Sequence, residues 1–271
     1  MSDTVYVIYH ADCYDGFGAA WAAWRALKDN GIYLPCRYGD PLPELPDGAV
    51  VAMVDISWPR ATLEALATRC HLDVLDHHKT ARADLEGLQF ATFAEDKSGA
   101  VLAWEWWHQY KMLPKLLAYV QDRDLWRFEL PRSREVAAWM RSYPMDFEQW
   151  NYLSERIARD FGEVIAEGCV ILRFQGQQVE AMCQHARVQY VGGFFVPVAN
   201  ATVFFSEVGE RLCELYPNAP FAVYYLDRAD GTRQWGLRSR VGFDVSQVAK
   251  SYGGGGHTAA AGFVLQKGQE P

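Results

Sequence analysis

Three strand-length apolar runs, Thr4–Tyr9 (TVYVIY), Ala49–Val54 (AVVAMV) and Leu72–Leu75 (LDVL), each end on a histidine or an aspartate: His10, Asp55 and Asp76. The first run leads into Gly16–Lys28, an alanine- and tryptophan-rich stretch of helical composition. After the second, Pro59 suits the first turn of a helix reaching about Arg69. Strands spaced by helices predict an α/β fold with a mostly parallel sheet, in which ligands collect at the carboxyl ends of the strands. One aspartate at a strand end is ordinarily a turn former or a helix cap. Three strands delivering acids and imidazoles to one edge are not accounted for that way.

Beyond Ser98, which can cap a helix through Tyr110, the pattern turns helical. Pro114 opens a helix through about Asp122, and further helices are expected over Arg134–Arg141 and Phe147–Phe161, with amphipathic sequence continuing to about Cys183. β-rich runs return at Val188–Val198, Phe221–Leu226 and Gln234–Arg240, around a helix near Glu207–Leu215. The expected organisation is therefore a domain over 1–160, a connecting helix over 161–186, and a smaller α/β domain over 187–271.

The composition excludes several classes of function. Half of the 271 residues are hydrophobic and 22% are charged, too apolar for disorder and too interrupted by charge for a membrane span. A formal charge of −8 disfavours binding to long duplex nucleic acid, which recruits basic surfaces. A short anionic substrate remains compatible, because bound divalent cations reverse the local potential. The six cysteines form no CxxC pair, and the N-terminus lacks leader features, so a reduced cytoplasmic setting is expected and no membrane partner. No GxSxG elbow is present.

Asp76-His77-His78 concentrates a carboxylate and two imidazoles directly after the third run. Carboxylate and imidazole ligands without thiolates suit Mn²⁺ or a similar first-row ion. Two such ions, about 3.5 to 4 Å apart, activate water and stabilise charge developing on a phosphoryl group. Such a pair needs several acids, and Asp12, Asp15, Asp55, Asp76, Asp122 and Asp124 are available. Near the C-terminus, the run Gly253–Gly256 precedes His257 and Thr258. It is neither a Walker loop nor a GxGxxG fingerprint. Glycines there could let backbone amides approach an anion, with His257 and Thr258 at a helix start and Arg238 and Arg240 on one face of a preceding strand. Trp21, Trp24, Trp104 and Trp107 sit at helical spacing and read as core. Trp58 and Trp126 lie just past proposed acids, where an aromatic face could stack on a base.

His10-Ala-Asp12-Cys13-Tyr-Asp15-Gly16, Asp55, Asp76-His77-His78 and Asp122 of YVQD resemble, in order, the four motifs of the DHH phosphoesterase superfamily. Gly254-Gly255-Gly256-His257 with the following AAAGF resembles the signature of its DHHA1-type second domain. The resemblance implies a phosphohydrolase with two Mn²⁺ ions (Mg²⁺ or Co²⁺ as substitutes) in the first domain and a substrate lying between the two. By matching position, it implies metal ligation by His10, Asp12, Asp15, Asp55, His77 and Asp122, with Asp55 bridging. Asp76 is then expected to orient the ring of His77, and His78 to contact the scissile phosphate or protonate the leaving oxygen. Gly254, Gly255, Gly256, His257, Arg238 and Arg240 are expected to bind substrate. The expected substrate is a short single-stranded oligonucleotide, as for an exonuclease, or a small nucleotide. Pyrophosphate, a cyclic dinucleotide or a 3′-phosphonucleotide are alternatives, as is a non-catalytic nucleotide-binding module. One departure stands out: family members space the first motif as His-x-Asp-x-Asp or His-x-x-x-Asp-x-Asp, whereas here it is His-x-Asp-x-x-Asp. Asp12 is expected to reach the metal across a bulged loop, with Cys13 or water as alternatives. Cys13 itself reads as a buried small residue, thiolate being a poor match for Mn²⁺.

Overall fold

The computed structural model describes residues 4–240 and 242–271; Met1 to Asp3, part of the stretch on which the leader-peptide reading rests, lie outside the described residues. The chain divides into two compact units, Met1–Leu172 and Arg173–Pro271.

In the first unit the order is β1 (Val5–His10), α1 (Tyr14–Leu27), β2 (Gly31–Cys36), β3 (Val50–Val54), α2 (Arg60–Ala67), β4 (His71–Asp76), α3 (Lys79–Asp84), β5 (Ala91–Phe93), α4 (Gly99–His108), α5 (Lys115–Asp124), α6 (Ser133–Met140) and α7 (Phe147–Arg159). The described strands form one parallel sheet in the order β2-β1-β3-β4-β5, as the alternation of strand and helix requires. Its two faces bury separate cores. One gathers Trp21, Trp104, Trp139 and Trp150 under α1, α4 and α5 to α7; the other gathers Ile8, Met53, Ile56 and Leu63 under α2. Trp21 and Trp104 are buried as their helical spacing predicts, and Trp24 and Trp107 are half-buried. The unannounced strand β2 contains Pro35, which a sheet tolerates because β2 is an edge strand.

The helix α8 (Phe161–Cys183) follows directly on α7 after Asp160 and crosses the division between the units. The second unit continues with β6 (Arg187–Val191), β7 (Phe194–Asn200), α9 (Phe205–Leu215), β8 (Phe221–Asp227), β9 (Thr232–Ser239), α10 (Val245–Ser251), β10 (Gly255–Gly256) and β11 (Ala260–Gln266). Its mixed sheet runs β10-β11-β9-β8-β7-β6, with β7 and β8 parallel and the other pairs antiparallel. The expected run Val188–Val198 is a hairpin, turned by Gly192 and Gly193 at φ of 59° and 93°. No helix among the described residues is long and apolar enough to cross a membrane.

His257 and Thr258 do not begin a helix. α10 precedes the glycine run, and His257 lies in the turn joining β10 to β11, closed by its amide donating to the Ala260 carbonyl at 2.8 Å. Pairing of Ala260–Gln266 with β9 claims that segment for the sheet.

Trp21 is fully buried, stacks on Trp104 with centroids 6.1 Å apart, and donates from Nε1 to Asn151 at 3.2 Å. Trp21→Ala should therefore lower the unfolding free energy by about 3 to 5 kcal/mol. A urea titration reads this as a lower midpoint; a loss under about 1 kcal/mol would show that this helix face does not anchor the first unit.

Candidate metal centre

Sheet register brings the site together. Tyr9 of β1 is level with Val54 of β3, and Val54 with Leu75 of β4, so the next residues, His10, Asp55 and Asp76, form a row at the carboxyl edge. Asp55 takes a left-handed backbone (φ 59°), with its amide held by the Leu75 carbonyl at 2.9 Å. A non-glycine residue in that region is uncommon and is retained where its surroundings fix it. Asp15 is delivered by the first turn of α1, whose close approach to β1 requires glycine at 16: a Cβ there would meet the His10 carbonyl oxygen at 2.3 Å. The first amides of α4, from Gly99 and Ala100, donate to the two oxygens of Asp15 at 2.6 and 2.9 Å. Gly99 also makes room, since a Cβ would lie 2.6 Å from that of Asp55. Ser98 caps α4 as its position predicts, accepting from the Val101 amide.

His77 Nε2 points into this arrangement, 3.1 Å from Asp55 Oδ1, 3.4 Å from Asp15 Oδ2 and 3.6 Å from Asp124 Oδ2. His10 Nδ1 stands 3.5 Å from Asp55 Oδ2. Within the first unit, donor atoms of three groups lie within 4.8 Å of one another: His10, Cys13 and Asp55; Asp15, Asp55 and His77; Asp55, Asp76 and His78. Asp55 is common to all three.

Several assigned residues sit elsewhere than the sequence implied. Asp122 is buried, but its oxygens accept from the Glu129 and Leu130 amides at 2.9 and 3.3 Å, fixing the loop after α5. Asp124 is the acid that reaches His77. Residues two apart on a helix face directions about 200° apart, so only one of the pair can meet the site. Asp12, at φ 55°, turns its carboxylate outward to Arg37, which donates at 2.8 Å; that side chain is 71% exposed. Asp76 does not orient the ring of His77. Its Oδ1 pairs with His78 Nδ1 at 2.7 Å and accepts the amides of His77 and His78 at 2.7 and 3.1 Å. Tyr38, which no periodicity marked, places its hydroxyl 3.3 Å from His78 Nδ1 and its ring edge-on to His10. Trp58 donates to the Asp40 carbonyl and packs on the second core of the unit; Trp126 lies edge-on to Phe128.

In the second unit Arg238 is buried in β9, whereas Arg240 lies exposed beyond the strand's end at Ser239. Gly254 and Gly256 have packing reasons to be glycine. A Cβ on the first would meet the Gly262 carbonyl at 2.1 Å, and Gly256 sits at φ 137°. Gly255 pairs with Gly262 across the short ladder.

The charges are unbalanced. Asp15, Asp55, Asp76 and His77 are each no more than 1% exposed. Burial, then the carboxylates of Asp55 and Asp124, push Asp15 well above the usual carboxyl range. Burial opposes ionisation of Asp55 too, but His10 and His77 hold it well below that range. Burial alone would lower His77; its hydrogen bond to Asp55 and the charges of Asp124 and Asp15 outweigh this and raise it to about 10. His78 is raised despite burial, chiefly by Asp76. Buried Asp55 Oδ2 and Asp76 Oδ2 accept no hydrogen bond among the described residues. Excess buried carboxylate, imidazole beside it and open oxygen lone pairs suit a divalent cation.

Two expectations follow. Asp124→Ala should weaken Mn²⁺ binding in calorimetry without lowering the urea midpoint, whereas Asp122→Ala, by stranding two amides, should cost about 1 to 3 kcal/mol of stability and leave Mn²⁺ affinity intact. The reverse pattern would return the ligand role to Asp122. Because His77 is raised in the folded state, its contribution to metal-free stability is complete below its ordinary value of 6.5 and is lost as pH rises through about 10. With chelator present the urea midpoint should fall over that window, and His77→Gln should flatten the fall. With Mn²⁺ present stability should instead gain with pH, because a ligating imidazole must first lose its proton. A midpoint independent of pH under chelator would contradict this charge balance.

No protein-family model matches the chain. It is 31% identical over 284 residues to the uncharacterized protein R106 of Acanthamoeba polyphaga mimivirus, covering 96% of this chain and 67% of that protein. Among solved structures, the pGpG-specific phosphodiesterase PggH of Vibrio cholerae superposes with a TM-score of 0.50 at 14% identity, covering 98% of this chain and 94% of that one. The exonuclease RecJ bound to manganese gives 0.47 at 16% identity, over 97% and 86% of the two chains. The chain belongs to the same family as R106, and its fold is that of PggH.

Proposed function

We propose that this protein is a phosphohydrolase that uses two divalent ions, Mn²⁺ by preference, to cleave phosphoester bonds of short oligonucleotides or small nucleotides. The observation that carries the reading is Asp55, a buried carboxylate shared by three groups of donor atoms at the carboxyl edge of a parallel sheet. His10, Asp15, Asp55, His77 and Asp124 are the residues that would hold the ions. When bound, the ions supply Lewis acidity toward a phosphoryl oxygen and make a neighbouring water a better nucleophile. Without cations, the carboxylates would repel any phosphate that approached.

The chain's own groups account for the rest. The backbone amides of α4 fix Asp15, and the carbonyl of Leu75 fixes Asp55, so the acids are set before substrate arrives. Asp76 holds a proton on His78 Nδ1 and raises the affinity of that ring for a second one. His78 is thereby suited to steady a phosphoryl oxygen or to protonate the departing one. Tyr38, beside the same nitrogen, restricts the ring's orientation. The substrate class is drawn from the acidic net charge, which favours a small anion over a long strand, and from the fold shared with PggH, whose name records action on the linear dinucleotide pGpG. In the second unit Arg238, Arg240, Gly254 to Gly256 and His257 are proposed to anchor a phosphate away from the reacting one.

The test is turnover of a panel comprising linear dinucleotides, short RNA and DNA oligomers, cyclic dinucleotides, pAp and pyrophosphate, with Mn²⁺. Linear dinucleotides or short oligomers should be cleaved fastest. Asp55→Ala and His77→Ala should each reduce turnover by about a hundredfold or more, and His78→Gln by about a hundredfold with little change in KM. Undiminished turnover by Asp55→Ala would contradict the reading.

A further inference from the structure

The first motif carries an aspartate at 12 and a cysteine at 13, and the fold chooses between them. The left-handed backbone at Asp12 sends that carboxylate out to Arg37, and the next residue is turned inward. Cys13 Sγ, His10 and Asp55 offer three donor atoms within 4.8 Å of one another. Cys13 occupies the N-cap position of the 14-residue helix α1, yet its side chain makes no capping hydrogen bond. A helix N-terminus favours a thiolate over a thiol. Around it stand the carboxylates of Asp55, Asp124 and Asp15, a negative field that a bound cation would offset. The second observation is Asp55 Oδ2, in a side chain 1% exposed, which belongs to this trio and accepts no hydrogen bond among the described residues.

We propose that Cys13 is a metal ligand: its thiolate, with His10 and Asp55, holds one of the two ions, while Asp15, His77 and Asp124 hold the other with Asp55 shared. This rests on the dinuclear reading above and changes its chemistry. On binding, the S–H proton is released to solvent as the S–metal bond forms, so charge balances without any redox partner. A nitrogen, sulfur and oxygen donor set is softer than the all-carboxylate and imidazole set on the other side of Asp55. The His10 position should therefore favour Co²⁺ or Zn²⁺ over Mn²⁺ more strongly than the His77 position does. The protein would then carry two unlike ion sites.

Cobalt makes the ligand visible, because thiolate coordination adds a near-ultraviolet charge-transfer band that carboxylate and imidazole ligands do not give. The full chain, stripped with chelator and titrated with Co²⁺ alone, is compared with Cys13→Ser, Cys13→Asp and Cys169→Ser; Cys169 is an exposed cysteine on α8. The expected result is the band in the wild type and in Cys169→Ser, and its loss in both Cys13 variants. Elemental analysis should still find cobalt in Cys13→Asp, whose circular dichroism reports that it is folded. Cobalt bound to the wild type without the band, or a band surviving in folded Cys13→Asp, would overturn the thiolate ligand and leave the dinuclear reading standing. Failure of the wild type to bind cobalt at all would overturn both.

Discussion

Burying one carboxylate is costly, and Asp15, Asp55 and Asp76 are placed side by side with almost no access to water. The first unit is built around meeting that cost. Part is met by the backbone: the leading amides of α4 on Asp15, and the amides of His77 and His78 on Asp76. Part is met by imidazole, with His77 between Asp15 and Asp55 and His78 on Asp76. The remaining imbalance falls on Asp55, whose second oxygen has His10 Nδ1 at 3.5 Å, and on Asp76; the second oxygen of each accepts no hydrogen bond among the described residues. A cation is the species that completes such an arrangement, and glycine at 16 and 99 is what lets the backbones come close enough to form it.

The same logic separates the two histidines. They are adjacent in sequence, and extended backbone at His78 turns their rings to different neighbours. His77 meets three acids, while His78 is held closely by Asp76, lies 3.9 Å from Asp55 and is touched by a tyrosine. On the proposed reading one imidazole would bind an ion and the other carry a proton, and Asp76 pairs with the second rather than the first. In the second unit the glycine run owes its composition to close packing on β11 before any ligand is invoked.

Much of this was legible from residues alone because it depends on local pattern. Apolar runs closing on His10, Asp55 and Asp76 announce parallel strands, and register needs only their lengths to align the three side chains. What was not legible depends on phase or on the sign of one dihedral. Whether Asp122 or Asp124 meets the site is a question of how α5 is rotated, which its apolar face alone did not resolve. Whether Asp12 or Cys13 faces inward turns on a positive φ that aspartate seldom adopts and no spacing rule foresees. Tyr38 lies between strands, where no periodicity singles out a side chain. The helix expected at His257 failed because pairing with β9 captured the alanines that suit a helix equally well.

The central claim is that Asp55 is the shared carboxylate of a paired-ion site. Its most direct test is a crystal structure of the protein grown with Mn²⁺, with data collected at a wavelength where manganese scatters anomalously. The account expects two peaks flanking Asp55, one beside His10 and Cys13 and the other beside Asp15, His77 and Asp124. No peak at Asp55, or a peak held instead by Asp12 or Asp122, would contradict it.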